Sequence, residues 1–244
     1  VIVKDIQKGL MALLLPAECQ ICKEELAPLN RSFVCQRCWL KIEWITPPYC
    51  QQCARPLFGS LNSSSQKCGG CLQNPPNFER SFIPTLYQGV MVEVIKLLKY
   101  KGKTGVMGGL VKIIEEYLRK NSISLYHFDL VIPVPLHRKR LKERGFNQAE
   151  LIAQVIANYF RLPLINHCLK RVRPTQTQTH LRKPERIKNM KRAFRTSSET
   201  LLKKRKVLLV DDVYTTGVTA NQAAGVLKRA GVDKIYFFAL ARAS

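Results

Sequence analysis

Eight cysteines fall in the first 71 residues as four Cys-x-x-Cys pairs: Cys19/Cys22, Cys35/Cys38, Cys50/Cys53 and Cys68/Cys71. Two thiolates separated by two residues can both point inward from a tight turn. Two such turns supply the tetrahedral four-sulfur shell that Zn2+ prefers. Residues 23–34 separate the first two pairs and residues 54–67 the last two, and each gap suits a short ribbon hairpin. The spacing predicts two four-cysteine zinc sites paired consecutively, 19/22 with 35/38 and 50/53 with 68/71, with an interleaved pairing as the alternative. A full four-thiolate shell has no open position for water, so both zincs are expected to be structural.

A disulfide scaffold fits the same cysteines less well. The regular spacing suits a metal better than cross-links, and the apolar stretch Gly9–Ala17 lacks the small-residue cleavage site of a secretory signal. That stretch is also about half the length a bilayer span needs, so the reading is a cytoplasmic protein without membrane insertion. Cys168 stands alone and reads as a small buried hydrophobe. His137, His167 and His180 have no ligand spacing to one another and receive no metal role.

Charge divides the chain. Forty Lys and Arg stand against 17 Asp and Glu, a formal +23, and residues 1–80 hold only 9 of the bases with 6 of the acids. The excess lies beyond residue 80 and is densest in Lys170–Lys206, which carries 14 bases and only Glu185 and Glu199 as acids. Such density implies a polyanionic partner, either nucleic acid or a phosphate-rich small molecule.

Periodicity organises the rest. A short helix is expected at Ile6–Leu14, and Asn74-Pro75-Pro76-Asn77 reads as a linker, giving a double zinc-ribbon module over 1–78 and a second domain over 79–244. In that second domain a strand is expected at Ser81–Tyr87 and helices at Val90–Leu98 and Leu110–Leu118. A strand follows at Leu130–Pro133, then an amphipathic helix at Asn147–Phe160 with Leu151, Ile152, Val155, Ile156 and Tyr159 on one face. The chain ends with a strand at Val207–Val210, a helix at Thr219–Ala230 closed by Gly231, and a strand at Lys234–Leu240. Short, wholly apolar strands between helices predict an α/β fold, a parallel sheet covered by helices on both faces.

The chemistry concentrates at Val207-Leu-Leu-Val-Asp211-Asp212-Val-Tyr-Thr215-Thr216-Gly217-Val218-Thr219. A buried strand here leads to two carboxylates and then a hydroxyl-rich turn that opens a helix. The turn can offer backbone N–H groups, the helix dipole and three threonine hydroxyls to one phosphate, with Gly217 as the permissive backbone. The carboxylates can accept hydrogen bonds from vicinal hydroxyls. A phosphate site beside a diol site describes a ribose 5-phosphate. A second element agrees. The strand ending near Pro135 runs into Leu136-His137-Arg138-Lys139-Arg140-Leu141-Lys142-Glu143-Arg144, read as a basic loop ahead of the next helix, a natural pyrophosphate cradle. Lys170–Phe194 shows little apolar periodicity and reads as a long flexible excursion.

The Val207–Thr219 stretch closely resembles the thirteen-residue phosphoribosyl-pyrophosphate (PRPP) signature of type I phosphoribosyltransferases. That resemblance implies that Asp211 and Asp212 contact the ribose hydroxyls, that Thr215, Thr216, Gly217, Val218 and Thr219 bind the 5-phosphate, and that Mg2+ accompanies PRPP. Leu136, His137 and Arg138 join this set as the pyrophosphate loop. Taken together, the cysteine array, Lys99-Tyr100-Lys101-Gly102, Arg144–Gln148, the Thr175…Gln178…Leu181…Arg186…Asn189 stretch and Asp211–Thr219 resemble the ComF family. That family pairs a zinc ribbon with a type I phosphoribosyltransferase-like domain.

The family resemblance implies a role in handling single-stranded DNA during natural transformation or DNA utilisation, with a DNA-uptake helicase or another competence protein as a partner. Arg138, Arg140, Arg144, Arg171, Arg173, Arg182, Arg186 and Lys188 are the candidate nucleic-acid contacts. Two other readings stay open: an active transferase carrying ribose 5-phosphate from PRPP to a base or nucleic-acid-linked acceptor, and a non-catalytic protein adaptor.

Overall fold

A computed structural model describes residues 18–26, 33–57, 67–99, 103–123, 128–173, 193–197 and 199–243. The expected helix Ile6–Leu14 and the candidate contacts Arg182, Arg186 and Lys188 lie outside these residues.

Two short helices, α1 (Gln36–Leu40) and α2 (Gly69–Gln73), begin directly after Cys35 and Cys68, at the second knuckle of each ribbon. Strands β1 (Arg80–Phe82) and β2 (Thr85–Leu86) follow, the single expected strand being broken around Ile83-Pro84, where proline cannot donate to a ladder. Helix α3 (Gly89–Leu98) comes next, then a 3-10 turn and α4 (Met107–Lys120). Helix α4 runs beyond the expected Leu110–Leu118, and its buried Leu110, Ile113, Ile114, Tyr117 and Leu118 trace one helical stripe.

Strand β3 (Leu130–Pro133) leads into α5 (Arg138–Arg144) and α6 (Gln148–Phe160). Helix α6 buries Ile152 and Ile156 as expected, but Tyr159 is exposed, with Ala149, Ala153 and Ala157 completing the inward face in its place. Strands β4 (Leu169–Arg171) and β5 (Phe194–Thr196) form an antiparallel pair of their own. After the short helix α7 (Glu199–Leu202), β6 (Lys206–Tyr214), α8 (Val218–Arg229) and β7 (Lys234–Arg242) complete the fold.

The main sheet has the order β1-β7-β6-β3, with β2 also pairing to β7, and every pairing in it is parallel. Because side chains alternate along a strand, the sheet divides its apolar residues between two cores. Leu130, Ile132, Val207, Leu209, Phe237 and Ala239 go to one, together with Ala220, Ala223, Ala224 and Leu227 of α8. Val131, Leu208, Val210, Phe238 and Leu240 go to the other, together with the buried faces of α3, α4 and α6. A parallel sheet covered on both faces is what the wholly apolar strands require.

The cysteine ribbons are built into these same cores. Cys50, Cys53, Cys68 and Cys71 belong to the α8 side and Cys19 and Cys38 to the opposite side. The Asn74–Asn77 segment is pinned as well, because Asn77 donates from its backbone N and its Nδ2 to Oδ1 of Asn221 on α8, at 2.7 and 2.8 Å. Among the described residues, no helix is long and apolar enough to cross a membrane.

Candidate functional site

Strand β6 outruns its neighbour. Pairing with β3 ends at Pro133 opposite Val210, whereas pairing with β7 continues to Tyr214 opposite Arg242. The expected strand stopped at Val210, with the acid pair beyond it. Instead Asp211 and Asp212 lie inside β6, because β7 still supplies a ladder partner there. They stand just past the end of β3, at the carboxyl edge of a parallel sheet, where ligands of such folds bind.

Each carboxylate has its own cation. Asp212 faces Lys99 at the end of α3, with Nζ 3.5 Å from Oδ2. Arg171 of β4 acts electrostatically on Asp211. The two carboxylates stay close enough for their side chains to interact, while their cations come from different elements, the end of α3 and β4. Arg144 adds positive charge that both acids feel, and its guanidinium donates to Oε1 of Gln148 at 2.7 Å. Burial holds Arg144 and Arg171 below the usual guanidinium range, and the acids oppose that effect. Burial, reinforced by Asp212, pushes Asp211 well above the ordinary carboxylate range. The backbone supports the pair, since Asp212 N donates to Asp211 Oδ1 at 2.9 Å and Val213 N to Asp212 Oδ1 at 2.8 Å.

The turn after β6 has the conformation its residues imply. Gly217 sits at φ +76° and starts α8, whose Asn221 N donates back to Gly217 O at 2.8 Å. A Cβ on Gly217 would lie 2.1 Å from the Tyr214 hydroxyl oxygen, so both the left-handed backbone and the close approach need glycine. Thr215 and Thr219 are half-buried, Thr216 is exposed and Val218 is buried.

The basic stretch after β3 is a helix rather than a loop. The His137 side chain caps α5 by accepting from Lys139 N at 3.3 Å, and Gly145 at φ +79° ends it. Local capping was legible in these two residues, but the density of bases concealed it. Leu136 and His137 are half-buried at its start and Arg138 is exposed. Of the remaining candidate nucleic-acid contacts, Arg140 is half-buried and Arg173 exposed, while Arg171 is drawn inward toward Asp211. Lys99 and Gln148 were not among the site residues expected, although Lys99 opens the Lys99-Tyr100-Lys101-Gly102 tract that the sequence had marked.

The cysteines gather as the consecutive pairing requires. One sulfur from each of Cys19, Cys22, Cys35 and Cys38, and one from each of Cys50, Cys53, Cys68 and Cys71, lie within 4.8 Å of one another in the two groups. Four thiols this close resist common ionisation without a cation. The hydrogen bond from Cys53 draws Cys50 down to about 4, while burial pushes Cys71 up to about 12. An all-sulfur tetrahedral donor set with no water position fits structural Zn2+. Cys168, only 1 % exposed, is the buried hydrophobe expected, and burial raises its thiol to about 11.

Known proteins share both halves. Residues 10–72 match the double zinc ribbon domain and residues 143–244 the phosphoribosyl transferase domain. Competence protein F of Haemophilus influenzae is 32% identical over 88% of this chain and 93% of its own length. DNA utilization protein YhgH of Escherichia coli K12 is 30% identical over 94% of this chain and 99% of its own. Competence protein ComFC of Bacillus subtilis is 27% identical over 81% and 79%. With both domains matched and near full-length similarity to competence protein F, the chain belongs to the ComF family of double zinc ribbon, phosphoribosyltransferase-like proteins.

Proposed function

We propose that this chain binds PRPP at the carboxyl edge of its sheet and acts in handling single-stranded DNA during DNA uptake or utilisation. The observation that carries the PRPP reading is the acid pair beyond the end of β3, set beside a glycine-opened turn and the N-terminus of α8, with Lys99, Arg144 and Arg171 around it. Asp211 and Asp212 would take the ribose hydroxyls and residues 215–219 the 5-phosphate. Leu136, His137 and Arg138 would line the pyrophosphate side. Mg2+ would arrive with PRPP and neutralise its pyrophosphate, and the carboxylates are the oxygen donors suited to such a hard cation.

The DNA reading rests on the names of the relatives, competence protein F and DNA utilization protein YhgH, and on the +23 charge. Arg138 and Arg140 on α5, with Arg173 beside the β4–β5 pair, are exposed or half-exposed bases near the same edge. Contacts from such bases to a phosphate backbone release counterions, so affinity should fall steeply as salt rises.

The deciding experiment is calorimetric titration of PRPP with Mg2+ into the zinc-replete protein and into a folded Asp211→Ala/Asp212→Ala variant. Micromolar binding that the variant loses is the expected result, and no binding by the wild type would overturn the reading. In parallel, single-strand affinity should drop with salt and with Arg138→Ala/Arg140→Ala. An affinity indifferent to both would remove nucleic acid from the proposal.

A further inference from the structure

A zinc ion held by four thiolates forms a centre of net charge −2, and burying such a charge requires a nearby cation or hydrogen-bond donors. All four cysteines of the second centre are buried. Arg242, the last residue of β7, is buried at 4 % exposure. No carboxylate among the described residues pairs with it, its Nε has no hydrogen-bond partner, and it donates from one terminal nitrogen to Ala243 O at 3.2 Å. A buried guanidinium without a carboxylate is costly unless another anion balances it. The thiolates of a zinc-loaded second centre would supply that anion, since they pack in the same core as the Tyr214 ring over which the Arg242 guanidinium lies.

Between this centre and the phosphate turn stands one side chain. Tyr214 pairs with Arg242 across β6–β7, and the Arg242 guanidinium lies 5.5 Å from its ring centre. Its ring packs in the same core as Cys50, Cys53, Cys68 and Cys71, edge-on to Phe78 at 6.4 Å and Phe237 at 5.6 Å. Its hydroxyl ends against Gly217, leaving no room there for even a methyl group. The first ribbon packs in the opposite core.

We infer that the second four-cysteine centre is the footing of the phosphate turn, with Arg242 as the buried counter-ion of the zinc-bound thiolates and Tyr214 as the strut that fixes Gly217. The inference rests on the PRPP reading of that turn. It makes Tyr214 and Arg242 positioning residues: neither touches the ligand, yet metal occupancy of the second centre sets affinity for PRPP. Coupling of this kind is reciprocal, so PRPP must also tighten the second zinc.

The test measures zinc per chain against a zinc-selective chelator with negligible affinity for Mg2+, with and without saturating PRPP and Mg2+, on the full chain. PRPP is expected to raise the chelator concentration that removes the second zinc by about tenfold and to leave the first unchanged. Arg242→Gln should release the second zinc at about tenfold less chelator, and Arg242→Lys, which restores the charge, should recover part of that loss. Tyr214→Leu should keep both zincs and weaken PRPP about tenfold in calorimetry. If the wild type binds PRPP but the second zinc is indifferent to it, and Tyr214→Leu binds normally, the strut is overturned. Should the wild type not bind PRPP at all, the reading of the turn fails, while the zinc retention of Arg242→Gln still decides the counter-ion.

Discussion

Lys99 Nζ lies 3.5 Å from Asp212 Oδ2, joining the end of α3 to the one stretch of β6 that has no β3 beside it. Both side chains are partly exposed, so the pair contributes little to stability, up to about 1 kcal/mol. Its weight falls on the ligand. PRPP brings several negative charges toward two carboxylates, and Lys99 offsets that repulsion. Lys99→Met is therefore expected to leave the melting temperature nearly unchanged while weakening PRPP about tenfold, with the difference shrinking at high salt. Calorimetry beside thermal denaturation checks both halves.

Asp211 is the opposite case, a group that lowers the stability of the fold it serves. Burial and the Asp212 charge raise its pKa well above that of the unfolded chain. The native state thus holds a proton that the unfolded state releases first, and stability falls as pH rises from the ordinary carboxylate range through the folded value. Asp211→Asn should raise the melting temperature at neutral pH by a few degrees, about 2–4 °C for each kcal/mol recovered. The gain should vanish at a pH acidic enough to protonate Asp211 in both states. The same variant should lose PRPP, a trade between stability and binding. A variant no more stable than wild type at pH 7 would show that the carboxylate is not strained by its surroundings.

Much of this arrangement was legible from residue patterns, and the parts that were not have physical causes. Four equal Cys-x-x-Cys spacings could hardly serve anything but two metal centres, and Asp-Asp followed by a threonine-glycine turn carried its chemistry in order. What the sequence could not show was how far a ladder continues. Val207–Val210 ended as a run of apolar residues, but β7 holds β6 in register four residues further, past two charged positions. Nor could it show that Lys99, more than a hundred residues before Asp212, arrives at the same carboxylate, or that Arg242 and Tyr214 pair across two strands. Those contacts follow from the parallel topology, not from local composition. The basic run 138–144 misled in the other direction, because charge density suggested a loop where His137 and Gly145 cap a helix.

The two cysteine centres should empty separately. Cys22 reaches the surface, while Cys50, Cys53, Cys68 and Cys71 are all buried. A chelator or thiol reagent should therefore strip the first centre faster, giving two phases that each release one zinc per chain. The protein's two tryptophans, Trp39 and Trp44, both belong to the core around the first centre, and Trp39 directly follows its ligand Cys38. Tryptophan emission should change with the first phase and stay silent in the second. Stopped-flow release followed by a zinc dye and by fluorescence in parallel checks this, and a single phase, or emission tracking the slow one, would contradict it.

Trp39 also makes adjacent glycines of α4 respond in opposite senses to the same substitution. A Cβ added at Gly109 would come within 2.2 Å of the indole, whereas one at Gly108 meets nothing within 4 Å. Alanine is favoured over glycine in a helix by up to about 1 kcal/mol, so Gly108→Ala should raise the melting temperature slightly. At Gly109 the indole would have to leave its seat on the helix, and overpacking of this kind costs about 1–3 kcal/mol. Gly109→Ala should lower the melting temperature by several degrees and shift tryptophan emission to the red as Trp39 meets water. It should also loosen the first zinc, because Cys38 and Trp39 are consecutive residues of α1. Equal effects from the two alanines would mean that the first ribbon does not rest on α4 through Trp39. Opposite signs, with zinc loss confined to the Gly109 variant, would establish that contact as the seat of the ribbon.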